Sequence, residues 1–177
     1  MLEYDGGVWT VNGRWRARNV INTAPWCDLY DALGRPAELA ADFAKIRYNR
    51  LVISLYELRY DVGWHWRYIP DRDVSYHREF YIGNFAEDSR RDGVYTETNA
   101  RRYSESCVHR GPGKHIYSAK TDAAYPIPVI GHAAAIDNIL KHYAKMNMFG
   151  VGRWGQHSYQ NADVSMYEAF KFVDSIR

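Results

Sequence analysis

Cysteine is scarce in this sequence. The 177-residue chain has two cysteines, Cys27 and Cys107, which lie far apart and form no Cys-x-x-Cys pair. Disulfide-stabilised secreted domains carry more cysteine than this, and zinc sites need closely spaced ligands. The seven histidines form neither a His-Glu-x-x-His motif nor a pair at i and i+4. We therefore expect no disulfide framework, no metal site and a reducing, cytoplasmic location.

Long apolar runs and an excess of charge are also missing. No run approaches the ~18 apolar residues that a membrane-spanning helix needs, and the first residues show no basic and apolar leader. Lys and Arg total 23 against 21 Asp and Glu, a net charge of +2. This balance excludes bulk electrostatic attraction to nucleic acid or membrane. We expect a globular chain with no nucleic-acid partner and no membrane span.

Aromatic residues, in contrast, are plentiful, with 15 Tyr and 6 Trp. Such side chains stack on flat ligands and sugars, and they also fill sheet cores. On composition alone, an aromatic-rich core is the simpler interpretation. The same alternatives apply to Trp64-His65-Trp66, which is either a half-buried aromatic strand or a sugar-stacking face, and the half-buried strand is favoured.

Local patterns in the first 46 residues predict a hairpin and two helices. Asn12-Gly13 favours a type I′ turn between strands at 8–11 and 15–21. Pro25 ends the second strand because it cannot donate to a sheet ladder. Helices are then expected over 26–33 and from residue 36 to about residue 46.

The remainder of the chain predicts an antiparallel sheet and further helices. Between residues 48 and 100 the apolar period is two, and turn residues recur at short intervals. The expected elements are strands at 50–57, 64–69, 76–85 and 93–99, a loop at 107–114, an extended segment at 125–128, a helix at 133–146, a strand at 148–151 and a helix at 162–176. This mixture predicts an α+β fold.

A glycine motif stands near the end of the chain. Residues 150–155, Gly-Val-Gly-Arg-Trp-Gly, match the Gly-x-Gly-x-x-Gly pattern. A dinucleotide fingerprint also needs a helix that begins at the motif, a second strand and an acid about 20 residues on. Here a predicted loop and one helix follow, so no Rossmann phosphate loop is expected. The glycines instead predict close backbone approach to a ligand, Arg153 predicts phosphate recognition, and Asn161 or Asp163 predicts a helix cap.

The same region resembles a known family. Three pieces follow one another in a fixed order, namely Gly152-Arg153-Trp154-Gly155, Tyr159 and Asn161-Ala162-Asp163 at the head of the last helix. Their order and spacing resemble the C-terminal signature of UDP-galactopyranose mutases. Upstream, Tyr125-Pro126-Ile127-Pro128 is similar to a Tyr-Pro-Ile/Val-Pro segment of that family.

Two earlier segments extend the resemblance along the chain. Tyr76-His77-Arg78, followed by Gly83-Asn84-Phe85, is similar to a segment of the eukaryotic-type mutases. Val20-Ile21-Asn22-Thr23-Ala24-Pro25 resembles a strand and proline of the wider superfamily of FAD-dependent amine oxidases and protoporphyrinogen oxidases. The superfamily's βαβ unit for the FAD pyrophosphate has no counterpart here. We therefore expect the C-terminal portion of a longer flavoprotein, which neither retains FAD nor is active alone.

The resemblance implies a specific domain organisation. The α+β fold would contain an antiparallel sheet of mixed strand lengths, of the substrate-domain type, with flanking helices and a C-terminal helix from the flavin-binding domain. Residues 1–25 would form a hairpin and strand of the flavin domain, residues 26–128 the substrate-binding sheet and helices, and residues 129–177 the C-terminal helices with a flavin-facing loop.

The resemblance also implies a function. The family interconverts pyranose and furanose forms of a UDP-sugar through a reduced-flavin adduct, so the implied partners are a nucleotide-sugar, FAD and the N-terminal FAD domain of the same protein. The flavin carries the chemistry, so no catalytic side chain is assigned. The implied substrate-binding residues are Arg78, Arg153, Tyr159 and Tyr125, and the implied cofactor-binding residues are Gly152, Asn161, Ala162 and Asp163.

Two alternatives to the mutase function stay open. Trp154 stands where the family usually has Leu or Phe, which leaves the sugar specificity undecided. An FAD-dependent oxidoreductase of the amine-oxidase or protoporphyrinogen-oxidase type would share the superfamily segments. A non-enzymatic nucleotide-sugar binding module would need no cofactor at all.

Overall fold

The chain forms two units: the first contains a three-stranded and a two-stranded sheet, and the second a five-stranded sheet. The computed structural model describes residues 1–176. The first unit combines Met1–Tyr48 with Tyr125–Arg177, and the second is Asn49–Ala124. The α+β fold class is confirmed, because an antiparallel sheet and flanking helices are both present. Among residues 1–176, no helix combines the length and the apolar character needed to cross a membrane.

The elements, in chain order, are as follows. The strands are β1 (Leu2–Asp5), β2 (Val8–Val11), β3 (Trp15–Ala17), β4 (Val20–Asn22), β5 (Tyr48–Glu57), β6 (Trp66–Tyr68), β7 (Tyr76–Tyr81), β8 (Gly93–Asn99), β9 (Lys114–Pro126) and β10 (Met148–Gly150). The helices are α1 (Trp26–Ala32), α2 (Ala40–Phe43), α3 (Glu105–Val108), α4 (His132–Ala144), α5 (Gly152–Gly155) and α6 (Ala162–Ser175), with 3-10 turns at Ala37–Leu39 and Ile82–Phe85.

The predicted hairpin is confirmed as the β2–β3 pair. Asn12 and Gly13 both have positive φ angles, 52° and 66°, as a type I′ turn requires. A strand that the local pattern did not predict, β1, pairs with the other edge of β2 and completes an antiparallel meander.

The second strand of the hairpin ends earlier than predicted. The predicted strand at 15–21 is two elements, β3 and β4, and β4 leaves the meander to pair in parallel with β10. The register places Asn22 opposite Gly150. A partner more than a hundred residues away leaves no trace in a local pattern, so the break could not be predicted.

Aromatic and aliphatic side chains from four helical segments and from strands β2 and β10 fill the core of the first unit. Trp26 is fully buried, stacks on Tyr143 at 5.5 Å between ring centroids and meets Phe43 edge-on. The indole N–H of buried Trp9 donates to the Met146 carbonyl at 2.6 Å. The segments predicted to be helical, from residue 36 to about residue 46 and over 133–146, supply six residues of this core, namely Leu39, Phe43, Ile46, Ile136, Ile139 and Tyr143. Burial of each large side chain contributes roughly 1.5–3 kcal/mol.

The second unit is built on a five-stranded sheet in the order β6-β7-β8-β5-β9. Predicted strands at 50–57 and 93–99 are confirmed as β5 and β8, which pair antiparallel. The strand predicted at 76–85 ends at Tyr81 and continues as a 3-10 turn, and the loop predicted at 107–114 begins within the short helix α3. The long strand β9 was not predicted, because Lys, His, Ser and Thr interrupt its apolar pattern.

A buried carboxylate ties β6 to β7 in this sheet. Glu79 is 1% exposed, and its Oε2 accepts from Arg67 Nε at 2.6 Å and from the Tyr81 hydroxyl at 2.7 Å. Burial opposes ionisation of Glu79, yet hydrogen bonds from Arg67, Tyr81 and Tyr76 outweigh it and lower the pKa of the carboxyl. The charged carboxylate is therefore part of the folded sheet.

Glu79→Gln is expected to reduce the free energy of unfolding by about 1–3 kcal/mol, because it removes charged hydrogen bonds at a buried site. Urea unfolding followed by circular dichroism measures this change. The matched control is Glu87→Gln at an exposed carboxylate, for which the change should stay within about 0.5 kcal/mol. Equal stability of the two variants would show that the buried carboxylate does not hold the sheet together.

Candidate functional site

The candidate site in the first unit begins where the parallel strands β4 and β10 end. Their carboxyl ends share one edge, and the Val151 N–H continues the pairing by donating to the Asn22 carbonyl at 2.9 Å. A Cβ on Gly150 would lie 2.0 Å from the Gly155 carbonyl oxygen, and a Cβ on Gly155 would lie 2.2 Å from the Asn22 oxygen. Only glycine permits such close packing of three backbone segments.

The buried indole of Trp26 holds the same corner. Its Nε1–H donates to the Gly155 carbonyl at 2.6 Å, so the first residue of α1 is bonded to the last residue of α5. The Asn22 Oδ1 accepts from the Ala24 N–H at 2.8 Å. Asn22 is 4% exposed, and its Nδ2 has no hydrogen-bond partner among residues 1–176, which makes it a buried donor with unused capacity.

The middle glycine of the motif has a different role. Gly152 has φ +75°, and no atom lies within 4 Å of the position that a Cβ would occupy. It starts α5, a single helical turn where a loop was predicted, which closes with the Gln156 N–H on the Gly152 carbonyl at 2.9 Å. Within the described residues no strand follows this turn, so the arrangement differs from a Rossmann fingerprint.

Three of the predicted substrate-binding residues come together next to this turn. Arg153 lies over the rings of Tyr125 and Tyr159, at 5.2 and 5.3 Å from its guanidinium carbon to the ring centroids. The two rings stack on each other at 5.7 Å. Tyr159 is 71% exposed, whereas Tyr125 is half-buried. The result is an aromatic and cationic cluster with one side open to solvent.

The backbone fixes the direction of Arg153. Its Nε–H donates to the Gln160 carbonyl at 2.7 Å, and one terminal N–H donates to the same oxygen. Gln160 is buried, and its side chain bonds Gln156 and Ser165. A guanidinium has five N–H donors. The Gln160 carbonyl accepts from two of those of Arg153, so the others can bind an anion.

The predicted cap of the last helix is wrong in its chemistry. Asn161 is the N-cap residue of α6, but its side chain makes no capping hydrogen bond, and Asp163 lies in the first turn rather than at the cap. Asn161, Ala162 and Asp163 are all exposed. The first-turn amides of this 14-residue helix therefore keep donors that no cap occupies, and the helix dipole makes this end favourable for electron-rich groups.

His157, on the same loop, is a buried residue that sequence reasoning did not single out. It has φ +46°, is 2% exposed and lies edge-on to Tyr48 with ring centroids 4.9 Å apart. Its Nε2 is 3.0 Å from the Arg47 carbonyl, and its Nδ1 has no partner within the described chain. Burial lowers the pKa of His157, the Arg47 carbonyl opposes this, and neighbouring His132 lowers the pKa further. No motif or apolar pattern around His157 in the sequence indicates that it is buried.

The fourth predicted substrate residue, Arg78, lies in the second unit on β7. Two of its N–H groups donate to Glu97 Oε2, and Nη1 donates to the Tyr68 hydroxyl at 3.3 Å. Its guanidinium also lies over the Phe80 ring at 4.6 Å. The side chain is 16% exposed, so Arg78 is an ion-paired residue of the sheet rather than a solvated one.

Part of each of three solved structures has the same fold as this chain. A crystal structure of reduced UDP-galactopyranose mutase matches with a TM-score of 0.64 and 14% identity, over 84% of this chain and 38% of that one. A proposed protoporphyrinogen oxidase from Exiguobacterium sp. 255-15 matches with a TM-score of 0.68 and 13% identity, over 99% and 45% of the two chains. A CLA-producing fatty acid isomerase from P. acnes matches with a TM-score of 0.68 and 13% identity, over 98% of this chain and 46% of that one.

These likenesses show the fold alone, because the identities are 13–14%. The chain spans less than half the length of each of these proteins. No protein-family model and no curated protein matches the sequence.

Gly155→Ala is expected to lower the free energy of unfolding by about 3 kcal/mol, because the new Cβ would overlap the Asn22 carbonyl, which is backbone and has no rotamer to change. The control is Gly63→Ala, where nothing lies within 4 Å of a Cβ and a change within about 0.5 kcal/mol is expected. Chemical denaturation measures both. A Gly155→Ala protein as stable as the control would contradict the close packing of this corner.

Acidification is expected to destabilise the first unit through His157. The pKa of His157 is lower in the folded protein than in the unfolded chain. The contribution of His157 to the free energy of unfolding is therefore complete above the unfolded-state pKa and is lost as the pH falls through the folded-state pKa. Asparagine tolerates the positive φ angle at this position. Between pH 7 and pH 5 the Tm of the His157→Asn variant should fall by about 2–4 °C less than that of the wild type, the equivalent of about 1 kcal/mol.

His109→Asn at an exposed histidine is the control and should follow the wild-type curve. Burial also lowers the pKa of His77, so the comparison between variants, rather than the wild-type slope, isolates His157. Identical pH dependence in His157→Asn and wild type would assign the acid sensitivity elsewhere.

Proposed function

We propose that this chain is the substrate-binding, C-terminal part of an FAD-dependent protein that resembles UDP-galactopyranose mutase and acts on a UDP-sugar. One observation carries the proposal: the glycine turn at Gly152, Arg153 with Tyr159, and the uncapped start of α6 lie in one continuous segment of the first unit, and Tyr125 packs on Arg153 from β9. The signature that resembles the mutase family lies on this same segment.

The residues of this segment fit a flavin. No atom lies within 4 Å of a Cβ position at Gly152, and the first-turn amides of α6 are uncapped. The Nδ2 of Asn22, the residue that packs on Gly155, is a buried donor without a partner among the described residues. Flavin oxygens and phosphates are acceptors, so they complement these donors. Gly152, Asn161, Ala162 and Asp163 would hold the group, and the bound flavin would supply the redox or nucleophilic chemistry.

The Arg153 cluster would take the diphosphate of the substrate. Its guanidinium is held in place by the Gln160 carbonyl and by the rings of Tyr125 and Tyr159, so little side-chain freedom is lost when an anion binds. The hydroxyls of Tyr125 and Tyr159 add donors beside it. The family resemblance also implies Arg78, in the second unit, as a substrate-binding residue, and there its guanidinium is ion-paired with Glu97.

The outer face of α6 would pack against the rest of the flavin-binding domain. Phe172 faces inward and meets Phe149 at 5.1 Å between ring centroids. On the opposite side Met166, Tyr167 and Phe170 are 58–72% exposed. A helix that is apolar on both sides is typical of a buried element, so the flavin-binding βαβ unit that the resemblance implies would cover this face.

A second candidate is an FAD-dependent oxidoreductase or isomerase that does not use a nucleotide-sugar. The observation that favours it is the quality of the structural matches. The proposed protoporphyrinogen oxidase and the fatty acid isomerase match at a TM-score of 0.68 over nearly the whole chain, against 0.64 over 84% for the mutase.

The deciding experiment is the visible spectrum of the protein expressed from its full gene, recorded with and without UDP. Oxidised flavin absorbs at about 370 and 450 nm, and bands that shift on UDP addition are the expected result. Flavin bands indifferent to UDP would favour the oxidoreductase. A colourless protein that still binds UDP would leave the non-enzymatic binding module.

Arg153→Ala is expected to weaken UDP binding by about 1.5–3 kcal/mol, the range for a hydrogen bond to a charged group. Isothermal titration of the same full-length protein measures the Kd. Arg16→Ala, which removes an exposed arginine of β3 in the same unit, should leave the Kd unchanged. An unaltered Kd in Arg153→Ala would remove Arg153 from the diphosphate site.

A further inference from the structure

A group of exposed aromatic side chains lies on the edge of the sheet in the second unit. Trp66 and Tyr68 on the edge strand β6 are 49% and 64% exposed, and Phe85 in the 3-10 turn is 53% exposed. The Trp66 and Phe85 rings are nearly parallel, 13° apart, with centroids separated by 6.4 Å. We refer to Trp66, Tyr68 and Phe85 as the aromatic platform.

The core of this unit does not require the platform. The core cluster is Tyr60, Tyr81 and Val94. Trp66 and Tyr68 pair across the strands with Phe80 and Arg78, on the face that carries the Arg78–Glu97 ion pair. Three large rings that remain 49–64% exposed contribute little to packing. Exposed rings beside a cleft are typical of ligand sites.

A cleft adjoins the platform and shares Phe85 with it. Its volume is about 240 Å³, and the other residues that line it are Gly63, Gly83, Asn84, Ala86, Glu87 and Arg91. Ligand pockets for drug-sized molecules measure roughly 300–1,000 Å³, so this cleft has room for a single ring.

The walls of the cleft are held rigidly. The Asn84 amide donates to the Val62 and Trp64 carbonyls at 2.7 Å each, and the Gly83 N–H donates to the buried Tyr60 hydroxyl at 2.7 Å. A Cβ on Gly83 would lie 2.3 Å from the Arg90 carbonyl oxygen. The loop is thus preformed, which reduces the entropy lost when a ligand binds.

The charges around the cleft select the ligand class. Glu87 offers an acceptor and Arg91 offers donors, so the lining carries both signs. Because the charges of Glu87 and Arg91 cancel, the lining has no net positive charge to attract a phosphate. A sugar ring instead presents hydroxyls that both donate and accept, and a C–H face that packs on an aromatic ring.

We propose that the cleft and the aromatic platform form a binding site for a neutral, unphosphorylated saccharide, with one pyranose ring in the cleft against Phe85 and the adjoining residue of the glycan on Trp66. Glu87 and Arg91 bind the hydroxyls of the first ring. The site lies entirely within the second unit and does not depend on the proposed flavin function.

The test is saturation-transfer NMR of the full chain with methyl glycosides of glucose, galactose, mannose and N-acetylglucosamine, and with their β-linked trimers. At least one of these should bind saturably, and its trimer should bind more tightly than its monomer. Phe85→Ala and Trp66→Ala should each weaken trimer binding roughly tenfold, the effect of losing a well-packed aromatic contact.

The matched control is Trp15→Ala, which removes a tryptophan of the first unit that is 63% exposed and should leave saccharide binding unchanged. Circular dichroism confirms that each variant is folded, and Glu87→Gln provides a second, nearly isosteric test that should weaken binding of the monosaccharide. Failure of every glycoside to bind, or binding that survives Phe85→Ala and Trp66→Ala, would overturn the proposal. So would UDP binding at this cleft that strengthens in Glu87→Gln.

Discussion

The close approach of three backbone segments at Gly150, Gly155 and Asn22 is the constraint on which the first unit depends. Each Cβ that the two glycines omit would overlap a carbonyl oxygen at 2.0–2.2 Å. The Trp26 indole bonds the same Gly155 carbonyl and reaches from there into the core. Strand pairing, helix entry and core packing therefore meet at one corner, and a change of a single methyl group there affects all of them.

The candidate site takes its geometry from this corner. Because α5 is a single turn closed against β4, Arg153 leaves it in a fixed direction and is then held by the Gln160 carbonyl and two tyrosine rings. The buried His157 has a positive φ angle of 46°, which is uncommon outside glycine, so it fixes the direction of the chain after α5. The exposed start of α6 is presented by the same loop, so cation and helix terminus belong to one preorganised surface.

Much of the fold was predictable from local patterns, and the site was predictable only in part. The Asn12-Gly13 turn, helix α4 and the paired strands β5 and β8 follow from turn chemistry and apolar periodicity, and all are present. The proximity of Tyr125, Arg153 and Tyr159 agrees with their grouping by family resemblance, although their roles as ligands of a substrate stay predictions. The cap at Asn161 was wrong, since a residue type favours a cap without determining where its side chain points.

The sequence alone determined the α+β class, the longer helices α1, α4 and α6, most of the strands and the glycines that permit the tight corner, because each of these depends on neighbours a few residues apart. Tertiary structure alone decided the parallel pairing of β4 with β10, the long strand β9, the burial of Glu79 and His157, and the ion pair that occupies Arg78. These features depend on partners distant in the chain, and their free energies come from burial and hydrogen bonding that exist only after the segments have packed.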